Sequence, residues 1–335
     1  IVNNASMSAS IMKFTERDRL CMPVPMYHCF GMVLGTLLCT SSGAAIVLPA
    51  AAFEADACLR AIESERCTAV HGVPTMFIAM LDDPDFADRD TTSLRTGIMA
   101  GAPCPIELMH RVIEEMHMGE ITIGYGMTET GPLSTQTLPH DPIELRVGTV
   151  GRPLPNTEIK VVDEEGHIVP RGEPGELCTR GYNVMRGYWG DPRRTAKDID
   201  AARWIRTGDI ATMDDDDYLR IVGRSKDMLI RGGENIYPRE IEEFLYTHPK
   251  IEQAEVVGVP DPKFGEEVAT WIKLHEGQTA SEAEIREFCK GKLAHFKIPT
   301  YIRFVDEFPM TVTGKVQKYL IRESMAEELG QKKSA

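Results

Sequence analysis

Between Ala44 and Gly126 short apolar runs alternate with helical stretches, and this alternation restricts the fold more than any other feature of the chain. Ala44–Leu48, Thr68–Gly72, Gly97–Ala100 and Ile121–Tyr125 read as strands. Glu54–Glu65, Thr75–Leu81 and Pro105–His117 read as helices between them. Strands joined through helices lie parallel, so an α/β fold is expected, its large domain holding a mainly parallel sheet covered on both faces. Just upstream, no residue from Cys29 to Phe53 is charged, a length that raises the question of a membrane span. Thr40-Ser41-Ser42-Gly43 and Pro49 break that run. A buried helix over about Gly31–Cys39, a turn and a strand fit better, and no membrane span is expected.

After Gly148 the pattern changes to short β runs punctuated by Gly and Pro, such as Glu158–Val162 and Glu176–Thr179. A small β-barrel or other β-rich subdomain is expected there. Asp214–Asp217 reads as a solvated hairpin tip. Near Gly223 the pattern changes again. Pro238 opens a helix with Ile241, Phe244 and Leu245 on one face, and Ser281 with Glu284 forms a capping box before Ile285, Phe288 and Cys289. With strands at Ala254–Val259, Val268–Lys273 and Ile302–Val305, this makes a compact α+β carboxyl-terminal domain.

The net charge of −14 argues against a nucleic-acid binder, because no basic stripe offsets it. Eight scattered cysteines include no CxxC pair, so free thiols in a reducing compartment are expected and neither a disulfide framework nor a zinc site is supported.

Four strings carry chemistry: Tyr125-Gly126-Met127-Thr128-Glu129-Thr130, Thr207-Gly208-Asp209, Gly223-Arg224-Ser225-Lys226-Asp227, and Pro309 to Val316 with Gly314-Lys315. Activating a carboxylate with ATP needs such parts: hydroxyl and carboxylate for phosphate and metal, an acid for ribose hydroxyls, and a mobile lysine for charge building on the α-phosphate. In this order and spacing the strings resemble the adenylate-forming superfamily of acyl-CoA synthetases, amino-acid adenylation domains and luciferases. The resemblance runs from about Tyr27 to Lys318.

The resemblance implies roles for particular residues. Tyr125 would pack on adenine, Thr128 contact phosphate and Glu129 bind Mg2+. Gly101-Ala102-Pro103 would form the adenine-binding segment, although an ordinary strand-to-helix turn describes the same backbone. Asp209 would accept both ribose hydroxyls, with Arg224 as an added donor. Lys226 would be the hinge between a large and a small domain, and Gly232-Gly233 would flank the pantetheine channel. Lys315 would bridge the carboxylate and the α-phosphate. His28 and Gly31 would open the acyl pocket, with His71 and Val73 in another wall. The organisation expected is 1–147 for the α/β part, 148–223 for the β-rich subdomain, 224–227 for the hinge and 228–335 for the mobile domain.

Arg231 to Pro238 resembles the acyl-CoA branch. The implied activity is conversion of a short or medium-chain apolar acid to acyl-adenylate and then acyl-CoA, with ATP, Mg2+ and coenzyme A. Transfer to a carrier protein, or a nucleotide-binding remnant, are the other readings. The family's phosphate loop is expected just before a segment like Ile1-Val2-Asn3-Asn4-Ala5. Without it the 335-residue chain is expected not to turn over alone, and the function is assigned to a longer parent. A cytoplasmic location is expected, or an organelle matrix if a targeting segment was removed; homo-oligomerisation stays open.

Overall fold

The computed structural model describes residues 1–102, 104–311 and 315–330. They divide into two compact units, one of residues 1–207 with 211–221 and the other of 208–210 with 222 onward.

The first unit holds a seven-stranded sheet of β1 (Arg19–Cys21), β2 (Ala45–Val47), β3 (Ala69–Gly72), β4 (Thr96–Ala100), β5 (Glu120–Gly126), β6 (Leu133–Gln136) and β7 (Arg152–Pro153). The order is β2-β1-β3-β4-β5-β6-β7, with the first five strands parallel and the last two antiparallel. Helices α1 (Val2–Ile11), α2 (Leu38–Ser42), α3 (Ala55–Glu65), α4 (Pro74–Leu81), α5 (Ile106–Glu114) and α6 (Ile143–Gly148) accompany it. Successive strand residues go to opposite faces, as the period of two requires. Cys21, Val70 and Met99 pack with α3, α4 and α5, whereas their neighbours Leu20, Ala69 and Ile98 pack with α1 and α2. The sheet is therefore covered on both sides, as the apolar runs implied.

The uncharged run departs from expectation in its pitch. Phe30–Leu37 is a π-helix, and only Leu38–Ser42 continues as α-helix. A Cβ on Gly31 would lie 2.3 Å from the Pro25 carbonyl oxygen, so this segment packs backbone to backbone where no side chain fits. Apolar spacing reports that a helix is buried, not which carbonyl each N–H meets. Among the described residues no helix is long and apolar enough to cross a membrane.

Strands β8 (Thr157–Val162), β9 (Gly175–Gly181), β10 (Ile205–Met213) and β11 (Leu219–Arg224) form a four-stranded sheet, ordered β11-β10-β9-β8, where a small barrel or β-rich subdomain was expected. Helix α7 (Pro192–Asp198) lies between β9 and β10, capped by Asp191 accepting from the Arg194 N–H at 2.9 Å. The acidic run is a hairpin tip whose Asp214 carboxylate accepts from the N–H groups of Asp216 and Tyr218.

In the second unit β12 (Leu229–Arg231), β13 (Glu234–Ile236), β14 (Ile251–Asp261), β15 (Gly265–Leu274) and β16 (Tyr301–Phe304) form one sheet. Helices α8 (Pro238–Tyr246) and α9 (Glu282–Cys289) bury Ile241, Leu245 and Ile285 with Val256. Helix α10 (Lys318–Glu328) buries Ile321 and Met325 with Val257 and Trp271 in a separate cluster. Ser281 caps α9 by accepting from the Glu284 N–H at 3.2 Å. All eight cysteines are free, and all but Cys29 are buried.

Candidate active site

Three neighbouring parallel strands, β3, β4 and β5, end together in the first unit, and α/β sheets bind ligands beyond such carboxyl ends. Gly101, with φ of +91°, and Ala102 follow β4 and are exposed. Pro103 lies outside the described residues, as do Val312, Thr313 and Gly314. Tyr125 is half-buried near the end of β5.

The next turn divides its two threonines between structure and exposure. Thr130 is buried; its hydroxyl accepts from the Met127 N–H at 3.1 Å and donates to the Pro132 carbonyl at 3.0 Å. It therefore shapes the turn. Thr128 is exposed, its Oγ1 lying 3.4 Å from Cys29 Sγ. That contact joins the turn to the segment of His28, whose Nδ1 accepts from the Phe30 N–H at 3.1 Å.

Glu129 is half-buried, and its Oε1 accepts from the Tyr188 hydroxyl at 3.0 Å. Burial, together with the negative charge of Glu129, pushes the Tyr188 phenol up to about 12, so it remains a donor at neutral pH. Sequence reasoning missed Tyr188 and Cys29. Both make their contacts across long sequence separations that no local spacing encodes.

His71 and Gly31 are both buried. His71 is fully buried, accepts from the Ile98 N–H at 3.1 Å and stacks on Phe30 with ring centres 5.8 Å apart. Burial lowers its pKa to about 4, so the imidazole is neutral. Val73 is buried as the residue that precedes α4.

The remaining expected residues belong to the second unit. Asp209 is largely buried, and Arg224 Nε donates to its Oδ1 at 3.1 Å. The two residues expected at a ribose thus contact each other, and the carboxylate's direction is set by its own protein. Lys226 is exposed in a turn where the Arg224 carbonyl accepts from the N–H groups of Asp227 and Met228. Gly232 and Gly233, at φ of +60° and +90°, make the two-residue turn that pairs Arg231 with Glu234. Both positions have the left-handed backbone of a type I′ hairpin, which alone accounts for glycine at each. Lys315 pairs with Thr311 through its backbone: its N–H donates to Thr311 Oγ1 at 3.0 Å, and its carbonyl accepts from the Thr311 N–H at 2.8 Å.

A family model described as AMP-binding enzyme matches residues 1–189, and a second, AMP-binding enzyme C-terminal domain, matches residues 240–315. The chain belongs to the AMP-binding enzyme family. Within that family it is 56% identical over 329 residues to the Bacillus subtilis protein YngI, named as an acyl-CoA synthetase, covering 98% of this chain and 60% of that protein. It is 46% identical over 334 residues to the mitochondrial medium-chain acyl-CoA ligase ACSF2 of Rattus norvegicus, covering 98% of this chain and 54% of the ligase. The chain thus spans little more than half the length of these curated relatives. Among solved structures, ATP-bound MatB from Rhodopseudomonas palustris superposes with a TM-score of 0.89 at 32% identity, over 98% of this chain and 64% of MatB. The o-succinylbenzoate CoA synthetase of Bacillus subtilis, bound to its acyl-adenylate, gives 0.82 at 30% identity, over 96% of this chain and 63% of that one.

Proposed function

We propose that the protein carrying this chain activates an apolar carboxylic acid with ATP and passes the acyl group to coenzyme A. The observation that carries the reading is the turn after β5, which presents the exposed Thr128 hydroxyl next to the held carboxylate of Glu129. In the first half-reaction a carboxylate oxygen attacks the α-phosphorus and pyrophosphate leaves. In the second the thiol sulfur attacks the acyl carbonyl and AMP leaves.

Tyr125 and the Gly101-Ala102 backbone take the adenine, with Pro103 completing that segment; Thr128 contacts phosphate. Asp209, held by Arg224, accepts from the ribose hydroxyls. Lys315 meets the charge that builds on the α-phosphate, Gly232 and Gly233 flank the thiol's path, and the second unit turns about Lys226 between the two steps. Mg2+ takes few protein ligands beside substrate phosphates, so a single half-buried carboxylate with a neighbouring hydroxyl fits it. When bound, the ion neutralises charge on the phosphates; Glu129 holds it, next to Thr128.

The substrate class follows from the wall near His28, Gly31, His71 and Val73. No residue from Cys29 to Phe53 is charged, and neutral His71 adds no charge to pair an amine or second carboxylate. A short or medium-chain aliphatic acid fits, and the similarity to a medium-chain ligase supports it. That relative is mitochondrial, in keeping with a matrix location as an alternative to the cytoplasm. The test is ATP–pyrophosphate exchange across a panel of carboxylates, followed by AMP release with and without coenzyme A. Exchange without any coenzyme A dependence of AMP release would leave a carrier protein as acceptor; no exchange with any acid would end the reading.

Asp209→Ala should weaken AMP binding by about 1.5–3 kcal/mol per charged hydrogen bond lost. Calorimetric AMP affinity equal to that of the unsubstituted protein would remove Asp209 from the nucleotide site.

A further inference from the structure

Glu129 is held at two points by one short segment of the chain. The Met185 N–H donates to the Glu129 carbonyl at 2.8 Å, and three residues on the Tyr188 hydroxyl donates to its carboxylate at 3.0 Å. The segment is itself fixed from both sides. Arg203 donates to the Met185 carbonyl at 2.6 Å. The Tyr188 N–H donates to Thr195 Oγ1 at 2.9 Å, and that hydroxyl donates to the Asp191 carbonyl at 2.8 Å. The Arg194 guanidinium lies 4.1 Å from the centre of the Tyr188 ring. The first turn of α7 therefore fixes both the backbone and the ring of Tyr188; of the two carboxylates near its phenol, Glu129 and Asp198, Glu129 accepts from it at 3.0 Å.

We propose that Tyr188 is a positioning residue for Glu129, holding the carboxylate in the rotamer that meets the metal on the nucleotide phosphates. It acts through Glu129 and touches neither substrate nor reacting atoms. The inference rests on the metal role of Glu129 proposed above. A carboxylate with one oxygen engaged by a neutral donor keeps its charge and its second oxygen's lone pairs, so the arrangement orients the ligand without neutralising it. Removing the phenol hydroxyl leaves the ring, the Arg194 contact and the backbone hydrogen bonds in place, but frees the carboxylate to rotate.

The test uses the protein carrying this chain and needs no turnover. Calorimetry of a non-hydrolysable ATP analogue, repeated across magnesium concentrations, gives the half-saturating magnesium for Tyr188→Phe, Glu129→Gln and the double variant. Tyr188→Phe should raise it about tenfold, the scale on which partners of metal ligands act. AMP affinity without magnesium should be unchanged, a readout that a general loosening of the fold would move. The double variant should be no worse than Glu129→Gln alone. Thr195→Ala, which releases the Tyr188 backbone but keeps the phenol, should shift magnesium dependence the same way and serves if Tyr188→Phe misfolds. A shift with Glu129→Gln but none with Tyr188→Phe or Thr195→Ala overturns the positioning role alone. Additive effects in the double variant overturn it too, because the two groups would then act separately. No shift with Glu129→Gln overturns both this inference and the metal role beneath it.

Discussion

Replacing Lys318 with Met is expected to destabilise the second unit by about 3–5 kcal/mol, because it leaves two buried carboxylates side by side without their cation. Lys318 opens α10, and its ammonium is paired with Glu242 of α8 and lies 3.5 Å from Glu255 of β14. Glu242 also accepts from the Val256 N–H at 2.8 Å, so three elements meet at this cluster. Burial works against the ammonium, yet the charges of Glu242 and Glu255 outweigh it and raise its pKa. Burial, followed by the charge of Glu242, pushes Glu255 up to about 7 from an ordinary 4.5.

The sign of the pH effect follows. Between about 4.5 and 7 the folded state holds a proton on Glu255 that the unfolded state has released, so stability falls as pH rises through that window. In Lys318→Met the missing cation should raise Glu255 further and extend the fall to higher pH. The deficit should therefore be larger at pH 8 than at pH 5. Urea unfolding followed by hydrogen exchange at the β14 amides measures it. A deficit that does not change with pH would mean that packing, not charge, is lost.

Four of the five parallel strands were legible because each is a short apolar run between helical stretches, whereas β1, three residues opening on Arg19, was not; in all of them adjacent residues must face opposite layers. Leu20 and Cys21, Ala69 and Val70, and Ile98 and Met99 divide between two clusters on that rule alone. The β5 turn was legible because its small and polar residues follow a strand directly. What lay hidden is long-range. Tyr188 meets Glu129 across 59 residues, Cys29 meets Thr128 across 99, and Lys318 meets Glu242 across 76. No periodicity links such partners. The π pitch of Phe30–Leu37 was hidden for a different reason, since hydrophobicity sets burial and not the offset of the hydrogen-bond ladder. At Gly232-Gly233 the hairpin signal was present, as two glycines between short strand runs, and the backbone conformation it demands stands whether or not a thiol passes nearby.

Lys315→Ala is expected to slow acyl-adenylate formation by roughly 10²–10³ while leaving conversion of supplied acyl-adenylate and coenzyme A to thioester largely intact, as loss of one transition-state charge partner does. Both hydrogen bonds between Thr311 and Lys315 run through the Lys315 backbone, so Ala keeps that pairing. A bulky residue at Gly233 should do the reverse, permitting adenylate and stalling the thioester step. Its Cβ would meet open space, but φ of +90° strains any L side chain, so Gly233→Leu alone would mix a blocked channel with a weakened hairpin. Gly233→Asn separates them, because Asn tolerates positive φ and is smaller and polar. If bulk is what matters, Leu should impair thioester formation well beyond Asn, and the two should adenylate alike. Single-turnover measurement of each half-reaction in the protein carrying this chain decides it. Equal loss of both half-reactions in Lys315→Ala and in Gly233→Leu would mean that one fixed arrangement serves both steps, and a turn of the second unit about Lys226 would then have no part in the mechanism.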